Sequence, residues 1–303
     1  MEHAFIYCVD GGGTKTRGRL LRLDGTELAR AEGGPCNIST DPALAAANVA
    51  AVWTECARQS RLSHVNPSDI LMSIGAAGAT VTGPRAVFLK DCPGFGRILL
   101  MTDGYAALIG AGGGRPCGLV VAGTGAVGHR LYTDGRSIRR DGWGWVAGDR
   151  GSGVWIGRKA LRHSIEVYDG LAPTDRLADY VLEKLQSDGG VQHGLLGIRP
   201  HQVASFAPFV FTAAAEGEAA ALSIIDRAIS HLTGLVRLLD LEDDTPLYIS
   251  GGLGRLLRSG LSMRMQRDLL VPDSDPIHGC YLVATGRAPI EDVTLTAFKR
   301  GGC

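Results

Sequence analysis

The chain of 303 residues is long enough for two domains with separate hydrophobic cores. Its 31 basic residues balance its 31 acidic residues, which argues against nucleic-acid and membrane-surface partners because both usually bind a basic face. The seven cysteines are scattered without a CxxC pair, so neither a metal cluster nor a disulfide framework is expected. The N-terminus does not resemble a signal peptide, and no apolar run has the length of a membrane helix. Together with the expected free thiols, these features predict a cytoplasmic protein without a membrane partner.

The first part of the chain alternates predicted strands and helices. A buried strand in "AFIYCVD" ends at Asp10, and the alternating segment "RGRLLRLDGTELARAE" predicts a hairpin that turns at Asp24-Gly25. Asp41 and Pro42 predict the N-cap and the first residue of a helix. Further strands are predicted in "DILMSIGAAGA" and in "RILLMTD", the second ending at Asp103 before a helix.

The same order of predicted strands and turns then repeats, which predicts a duplicated α/β domain. "CGLVVAGTGAVGHRLYTDGRSIRR" repeats the strand, glycine–threonine turn, second strand and Asp-Gly turn of the N-terminal segment. Helices are predicted in "TDRLADYVLEKLQ" and "EGEAAALSIIDRAISHLTGLVRLLDL", and "PLYISGGLGRLL" predicts a strand, a glycine turn and a helix. The glycine-rich segment at 110–118 predicts domains at 1–114 and 115–303, with a closing helix in "IHGCYLVATGR" that can pack back on the first domain.

The glycine motifs exclude some nucleotide-binding folds. "GTGAVG", from Gly123 to Gly128, fits the dinucleotide pattern GxGxxG, but that pattern requires a helix directly after the glycines. The following "HRLYTDGRSIRR" alternates like a hairpin, so an NAD-dependent dehydrogenase remains an alternative with this motif as its only support. No lysine follows a glycine, so a Walker A loop is excluded.

Two glycine–threonine hairpin turns together predict a phosphate site. Each turn offers backbone N–H groups and a threonine hydroxyl, and two facing turns can hold a polyphosphate from both sides. The first turn follows Asp10, whose charge alone would repel phosphate. A nucleotide enters with Mg²⁺, which prefers oxygen ligands and water, so we expect Asp10 to hold hydrated Mg²⁺.

These motifs resemble those of a known superfamily. "DGGGTKT" at 10–16 and "AGTGAVG" at 122–128 are similar to the two phosphate motifs of the sugar kinase/actin/heat-shock ATPases, and "ISGGLGR" at 249–255 is similar to their nucleoside-contacting segment. The segments around Asn37, Asp103 and Asp149 narrow the resemblance to the BadF/BadG/BcrA/BcrD ATPase group, and within it to N-acetylglucosamine and glucosamine kinases. The resemblance implies an α/β fold of two duplicated ribonuclease-H-like (actin-like ATPase) domains with an active-site cleft between them.

The resemblance also implies roles for individual residues. Asp103 would be the catalytic base that accepts the proton of the attacking sugar hydroxyl, and Asp10 would be the metal ligand for Mg²⁺. The sugar would be bound by Asn37, Asp103, Thr124, Trp143 and Asp149. ATP would be bound by Gly11, Gly12, Gly13, Thr14, Lys15, Gly123, Thr124, Gly125, Gly251 and Gly252.

Two departures from the family bear on the substrate. Arg150 stands where relatives often have Glu or Gln, and Ala126 stands where they often have serine, so the contacts to the sugar or its 2-substituent can differ. "DGWGWVAGD" is more similar to acetylhexosamine kinases than to kinases of the free amine. The resemblance therefore implies phosphorylation of N-acetylglucosamine to its 6-phosphate, with glucosamine as the alternative and N-acetylmannosamine or a muramic-acid sugar not separated by spacing. Family members are commonly dimers, so we expect a homodimer.

Two further classes share the fold. Activators of 2-hydroxyacyl-CoA dehydratases use paired cysteines to bridge a [4Fe–4S] cluster, whereas the cysteine nearest the second turn here is Cys117, before its strand. Sugar-sensing transcription regulators need a DNA-binding helix-turn-helix ahead of the first motif, where this sequence has nine residues. Both readings are disfavoured.

Overall fold

The computed structural model describes residues 4–290 and 294–297. These residues form two compact units. The first comprises the described residues up to Cys117, Arg130–Ser137 and the described residues from Pro272 onward. The second comprises Gly118–His129 and Ile138–Val271. The first unit thus extends past the predicted boundary at residue 114, and the division into domains at that residue stays a prediction.

Strands and helices alternate along the chain. The strands are β1 (Phe5–Gly11), β2 (Thr16–Arg22), β3 (Glu27–Gly33), β4 (Ile70–Ala76), β5 (Arg97–Thr102), β6 (Cys117–Ala122), β7 (Ala126–Leu131), β8 (Ser137–Asp141), β9 (Leu247–Ser250) and β10 (Thr294–Ala297). The helices are α1 (Pro42–Gln59), α2 (Thr82–Asp91), α3 (Asp103–Gly112), α4 (Gly153–Tyr168), α5 (Arg176–Ser187), α6 (Val191–Leu195), α7 (Pro200–Ala204), α8 (Ala207–Ala215), α9 (Ala219–Arg237), α10 (Gly252–Met265) and α11 (Pro276–Ala284).

The first unit is built on a six-stranded sheet in the order β10-β5-β4-β1-β2-β3. Strands β1, β4 and β5 are parallel, and β1, β2 and β3 form an antiparallel meander. Every residue of β4 is buried, as expected for a central strand covered on both faces. Helices α3 and α11 approach closely at Gly110, which has no side chain. A Cβ there would lie 2.3 Å from the carbonyl oxygen of Asp275. This is the ribonuclease-H-like arrangement that the family resemblance implies.

The second unit repeats the same order on a smaller sheet. Its four strands lie in the order β8-β7-β6-β9, with β6 and β9 parallel. The hairpin strands followed by a parallel strand correspond to β3-β2-β1-β4 of the first unit, so the duplicated α/β fold is confirmed. A core of apolar residues joins this sheet to helices α4, α5, α8, α9 and α10. The unit therefore has its own core, as the length of the chain allows.

Most predicted elements are confirmed. The predicted hairpin is present, and its turn connects β2 to β3. Asp41 caps α1 by accepting the backbone N–H of Leu44 at 3.0 Å. Strand β7 begins at Ala126, inside "GTGAVG", and continues to Leu131, where a dinucleotide fold needs a helix, so the dehydrogenase alternative is wrong. The prediction that β5 ends at Asp103 is wrong by one residue, because Asp103 is the first residue of α3 and Thr102 is its N-cap.

Helix α9 contradicts the expectation that the sequence contains no apolar run of membrane-helix length. Its 19 residues, with a mean hydropathy of 1.2, are long and apolar enough to cross a membrane by length and composition alone. In the second unit the helix instead buries Ala228, Leu232 and Leu235 in the core and carries Asp226 and Arg227 on its exposed side. A core helix explains this composition without a membrane.

Candidate active site

In the first unit, the carboxyl ends of the parallel strands meet at one edge of the sheet. Ala77, which follows β4, donates its N–H to the carbonyl of Gly11 at 2.9 Å and accepts the N–H of Ile38 at 2.8 Å. An isolated parallel bridge joins Asn37 to Ala77. The edge where parallel strands end is the usual ligand site of such sheets. The fold thus brings the first glycine turn and the Asn37 segment together.

Glycine is required in the first turn by the close approach of another segment. A Cβ on Gly11 would lie 2.6 Å from the Cys36 sulfur, closer than any real Cβ contact. Gly12 donates to the carbonyl of Lys15 at 2.9 Å and accepts the N–H of Cys36 at 2.8 Å, which closes the turn. Gly13, Thr14 and Lys15 form its exposed tip. The turn can therefore present backbone groups to a ligand.

Asp10 is paired with an arginine that the sequence analysis did not identify. The carboxylate Oδ2 accepts from the Nε of Arg17 at 3.2 Å and from its Nη2. The register of β1 and β2 places the two residues opposite each other. Among the described residues, Oδ1 of Asp10 has no hydrogen-bond partner. This oxygen can hold a hydrated cation while Arg17 fixes the carboxylate.

Asp103 presents its carboxylate at the N-terminus of α3. The side chain is exposed, and its Oδ1 accepts the backbone N–H of Gly104 at 2.9 Å. In β4, Gly75 allows α3 to approach, because a Cβ there would lie 2.5 Å from the Ala106 Cβ. The positive end of the helix dipole favours the ionised carboxylate, which is the form that can accept a proton. Burial raises the pKa of Cys36 to about 12, with contributions from Asp10 and Asp103, so both carboxylates lie near this thiol.

Asn37 has one half of its amide free for a ligand. Its Oδ1 accepts the N–H of Ser39 at 3.1 Å and the hydroxyl of Ser39 at 2.8 Å. The Nδ2 group makes no hydrogen bond to any other described residue, so it can donate to a sugar oxygen. The first unit therefore brings Asp10, Asn37 and Asp103 to one edge of its sheet.

In the second unit, two helices begin beside the glycine turn between β6 and β7. The N–H of Gly153, the first residue of α4, donates to the Gly123 carbonyl at 2.8 Å. A Cβ on Gly251, just before α10, would lie 2.2 Å from the carbonyl oxygen of Ala122. The N-terminus of α10 has no side-chain cap. Uncapped N–H groups and the positive ends of helix dipoles suit the binding of phosphate.

Asp149 lies against this turn and is itself held by a residue that sequence reasoning missed. Its Oδ1 accepts the N–H of Ala126 at 3.2 Å, and a Cβ on Gly125 would lie 2.9 Å from its Oδ2. Asp141 accepts the N–H groups of Asp149 and Arg150 at 3.0 and 3.4 Å. The pKa of Asp149 is raised, mainly by burial and further by the charge of Asp141. Asp149 therefore supports the turn as well as carrying a carboxylate.

Trp143 is placed differently from the other predicted residues of the second unit. Its side chain is 72% exposed, and the Arg139 guanidinium lies 4.9 Å from its ring centroid. The backbone of Trp143 adjoins Gly148, one residue before Asp149, because a Cβ on Gly148 would lie 3.0 Å from the Trp143 nitrogen. The role of Trp143 as a sugar-binding residue stays a prediction.

A cavity of about 470 Å³ opens beside the turn within the second unit. Gly123 and Thr124 of the turn line it, together with Gly153 and Gly252 at the starts of α4 and α10 and residues of helices α7, α8 and α10. Helices α6, α7 and α8 were not predicted from the sequence. The cavity adjoins three residues assigned to ATP by resemblance, namely Gly123, Thr124 and Gly252.

The described residues fit ATP with Mg²⁺. The apolar cavity, the glycine turn and the uncapped start of α10 offer surfaces for a base and for phosphates. Among the residues that the structure describes, no group of three or more metal-ligating side chains occurs. Mg²⁺ does not need such a cage, because it retains several waters and is usually held by one or two carboxylates and substrate phosphate. The single carboxylate of Asp10 meets that requirement.

Comparison with known proteins places these features in a family. Residues 8–265 match the model of the BadF/BadG/BcrA/BcrD ATPase family. The chain is 26% identical to glucosamine kinase GspK of Vibrio cholerae, over 91% of this chain and 94% of that protein. It is 27% identical to N-acetyl-D-glucosamine kinase of Dictyostelium discoideum, over 94% and 98%. The crystal structure of a candidate N-acetylglucosamine kinase from Chromobacterium violaceum is 34% identical, with a TM-score of 0.86 over 93% of this chain and 99% of that chain.

Proposed function

Because the chain belongs to the BadF/BadG/BcrA/BcrD ATPase family, we propose that it is an ATP-dependent amino-sugar kinase whose substrate is N-acetylglucosamine and whose product is the 6-phosphate. Relatives that align over nearly their full length are named as kinases of glucosamine and N-acetylglucosamine. The observation that carries the proposal is the exposed carboxylate of Asp103 at the start of α3, on the same sheet edge as Asn37 and the first glycine turn.

The first unit supplies the groups that act on the sugar. Asn37 donates through Nδ2 to a sugar oxygen, which orients the ring. Asp103 accepts the proton of the 6-hydroxyl as that oxygen attacks the γ-phosphorus and the bond to the bridging oxygen of ADP breaks. General-base assistance of this kind is worth roughly 10²–10⁴-fold in rate. Most of the remaining acceleration comes from positioning and from neutralising phosphate charge.

The glycine turns supply the groups that bind ATP. The first turn, residues 11–15, and the second turn, residues 123–125, present backbone N–H groups and the hydroxyls of Thr14 and Thr124. Gly251 and Gly252 let the start of α10 approach the nucleotide. Asp10 holds hydrated Mg²⁺, which when bound offsets the charge of the phosphates. Asp149 positions the second turn through Ala126 and contributes a carboxylate for a sugar hydroxyl.

Glucosamine is the second candidate substrate, and the similarity to the Vibrio cholerae kinase favours it. The two sugars differ at the 2-position, where one carries an amine and the other an acetamide. Arg150 and Ala126 are the departures from relatives that bear on this choice. We propose that Arg150 lies near the 2-position, where its charge would disfavour the protonated amine of glucosamine and favour the acetamide.

The activator class gains no support from the cysteines. A cluster shared between subunits needs thiols at an accessible surface. Six cysteines lie in the described part of the chain, and each is free and buried: Cys8, Cys36, Cys56, Cys92, Cys117 and Cys280. Buried thiols of this kind are compatible with the reducing cytosol, which we propose as the location, and a homodimer remains our proposal for the assembly.

A coupled assay of ADP release tests the proposal. Purified protein with ATP and Mg²⁺ is offered glucose, glucosamine, N-acetylglucosamine, N-acetylmannosamine or no sugar. We expect turnover that depends on an amino sugar and is fastest with N-acetylglucosamine. Faster turnover with glucosamine would reverse the choice of substrate, and ADP release that ignores every sugar would overturn the kinase assignment.

A further inference from the structure

The walls of the 470 Å³ cavity in the second unit suggest how the phosphoryl donor is selected. The inference rests on the proposed function, because it takes the cavity as the site of the nucleotide base. Three of its lining residues, Gly123, Thr124 and Gly252, belong to the ATP set implied by resemblance. The base would lie beyond them, against helices α7, α8 and α10.

The side chains that face this space are apolar. They are the side chains of Ala204, Ala207, Pro208, Phe211, Leu253 and Leu256. Among the lining residues that the structure describes, the hydroxyl of Thr124 is the one polar side-chain group, and Thr124 belongs to the glycine turn. The remaining lining residues are glycines. Among these described lining residues, no carboxylate, amide or cationic side chain is therefore placed to read the edge of a base.

An apolar wall binds purines without distinguishing them strongly. Adenine and guanine have similar ring areas, and they differ in the hydrogen-bonding groups at positions 2 and 6. Strong rejection of one base requires a buried polar group of the protein that the wrong base would leave unpaired. Apolar pockets alone discriminate by only about 10–200-fold. The 66% exposure of Leu256 also leaves this wall open to water, so the polar edge of either base can stay hydrated.

We propose that this cavity holds the base by apolar contact alone, so that the enzyme accepts GTP and ITP as phosphoryl donors as well as ATP. The common requirement is a purine nucleoside triphosphate whose phosphates reach the glycine turn. Pyrimidine nucleotides bury less ring area against the same wall and bind more weakly.

The experiment compares donors with the native enzyme at a saturating concentration of the preferred amino sugar. We expect kcat/KM for GTP and ITP within about 100-fold of the value for ATP. A preference for ATP of more than about 1,000-fold over both would overturn the inference, because it would require a polar group that reads the base. A parallel binding arm displaces a fluorescent ADP analogue with ADP or GDP. Similar affinities support the inference, and a strong preference for ADP contradicts it.

The two arms separate this inference from the proposed function. If no triphosphate supports transfer to any amino sugar, the kinase assignment fails, while the displacement data still decide how the base is held. If ATP alone supports transfer and ADP alone displaces the analogue, the kinase assignment stands and the inference fails.

A variant tests the apolar contact directly. Leu256→Ala should raise the KM for ATP and for GTP by the same factor, about 3–10-fold, because the lost methyl contacts are common to both bases. Leu256 is exposed, so its replacement should leave the fold intact. Leu222→Ala is the matched control, because Leu222 is an exposed leucine on α9 outside the cavity. An increase for one nucleotide only would contradict the proposal.

Discussion

The Asp141 carboxylate accepts the backbone N–H of Asp149 at 3.0 Å, and both residues have positive φ angles, 59° and 57°. A left-handed backbone is costly for a residue other than glycine unless its surroundings hold it there. Asp149 in turn accepts the N–H of Ala126 in the second glycine turn at 3.2 Å. A two-step chain of hydrogen bonds therefore connects Asp141 to the proposed phosphate site of the second unit.

We expect Asp141→Asn to lower kcat about tenfold, because the amide keeps one of the two oxygens that accept these N–H groups and the turn loses part of its support. Asparagine tolerates a positive φ, so the melting temperature should change little. The charge of Asp141 raises the pKa of Asp149, so its removal should move the acid limb of the kcat/KM profile to lower pH. A pH profile that stays in place while kcat falls would show a purely structural role.

Replacing the proposed base should separate chemistry from folding. Asp103→Asn keeps an oxygen that can accept the Gly104 N–H, but it removes the group that takes the sugar proton. Steady-state assays should show a decrease in kcat of roughly 10²–10⁴-fold with an unchanged melting temperature. Asp91→Asn, at the exposed end of α2, is the matched control. Near-normal turnover in the Asp103 variant would show that Asp103 is not the catalytic base.

The Asp10–Arg17 ion pair predicts an effect on Mg²⁺. Arg17 neutralises the carboxylate that would hold the hydrated metal. Arg17→Gln should therefore strengthen divalent-cation binding by about fivefold. This factor corresponds to removing roughly 1 kcal/mol of repulsion in water between the arginine charge and the cation. Electron paramagnetic resonance of bound Mn²⁺ measures this without turnover. Arg22→Gln, farther along β2, should leave the affinity unchanged, and weaker Mn²⁺ binding in the Arg17 variant would contradict the pairing argument.

Acid should destabilise the second unit through His129. Burial, with the charge of Arg139 acting in the same direction, lowers the pKa of this imidazole to about 4. The neutral form is favoured in the folded state, so its contribution is complete above the unfolded pKa of about 6.5 and is lost as the pH falls toward 4. The loss should be about 2 kcal/mol at pH 5.

Denaturant unfolding from pH 7 to pH 5 measures that loss. His129→Gln, which has a similar volume and does not titrate, should show a shallower dependence of the unfolding free energy on pH. An identical pH dependence in the two proteins would assign the acid sensitivity to other groups.

Local sequence signals predicted the elements that depend on them. Asp24-Gly25 fixes a hairpin, Asp41 and Pro42 fix a helix start, and the repeat of strand, turn and strand indicates duplication. The roles of Arg17 and Asp141 were missed because they arise from strand register and from a left-handed backbone. The one available signal for Asp141 is its position before Gly142.

The cavity wall was missed for another reason. Helices α7 and α8 have five and nine residues, too few for an apolar period to reveal which face is buried. Phe211 and Pro208 line the cavity only because the fold brings them together with Gly123 and Gly252, which are distant in sequence. Long-range placement of this kind cannot be read from local pattern.

The most direct test is to identify the product by NMR after incubating the purified protein with ATP, Mg²⁺ and N-acetylglucosamine. The account predicts ADP and a phosphomonoester whose phosphorus couples to the protons on carbon 6 of the sugar. ADP with inorganic phosphate and an unmodified sugar would contradict it.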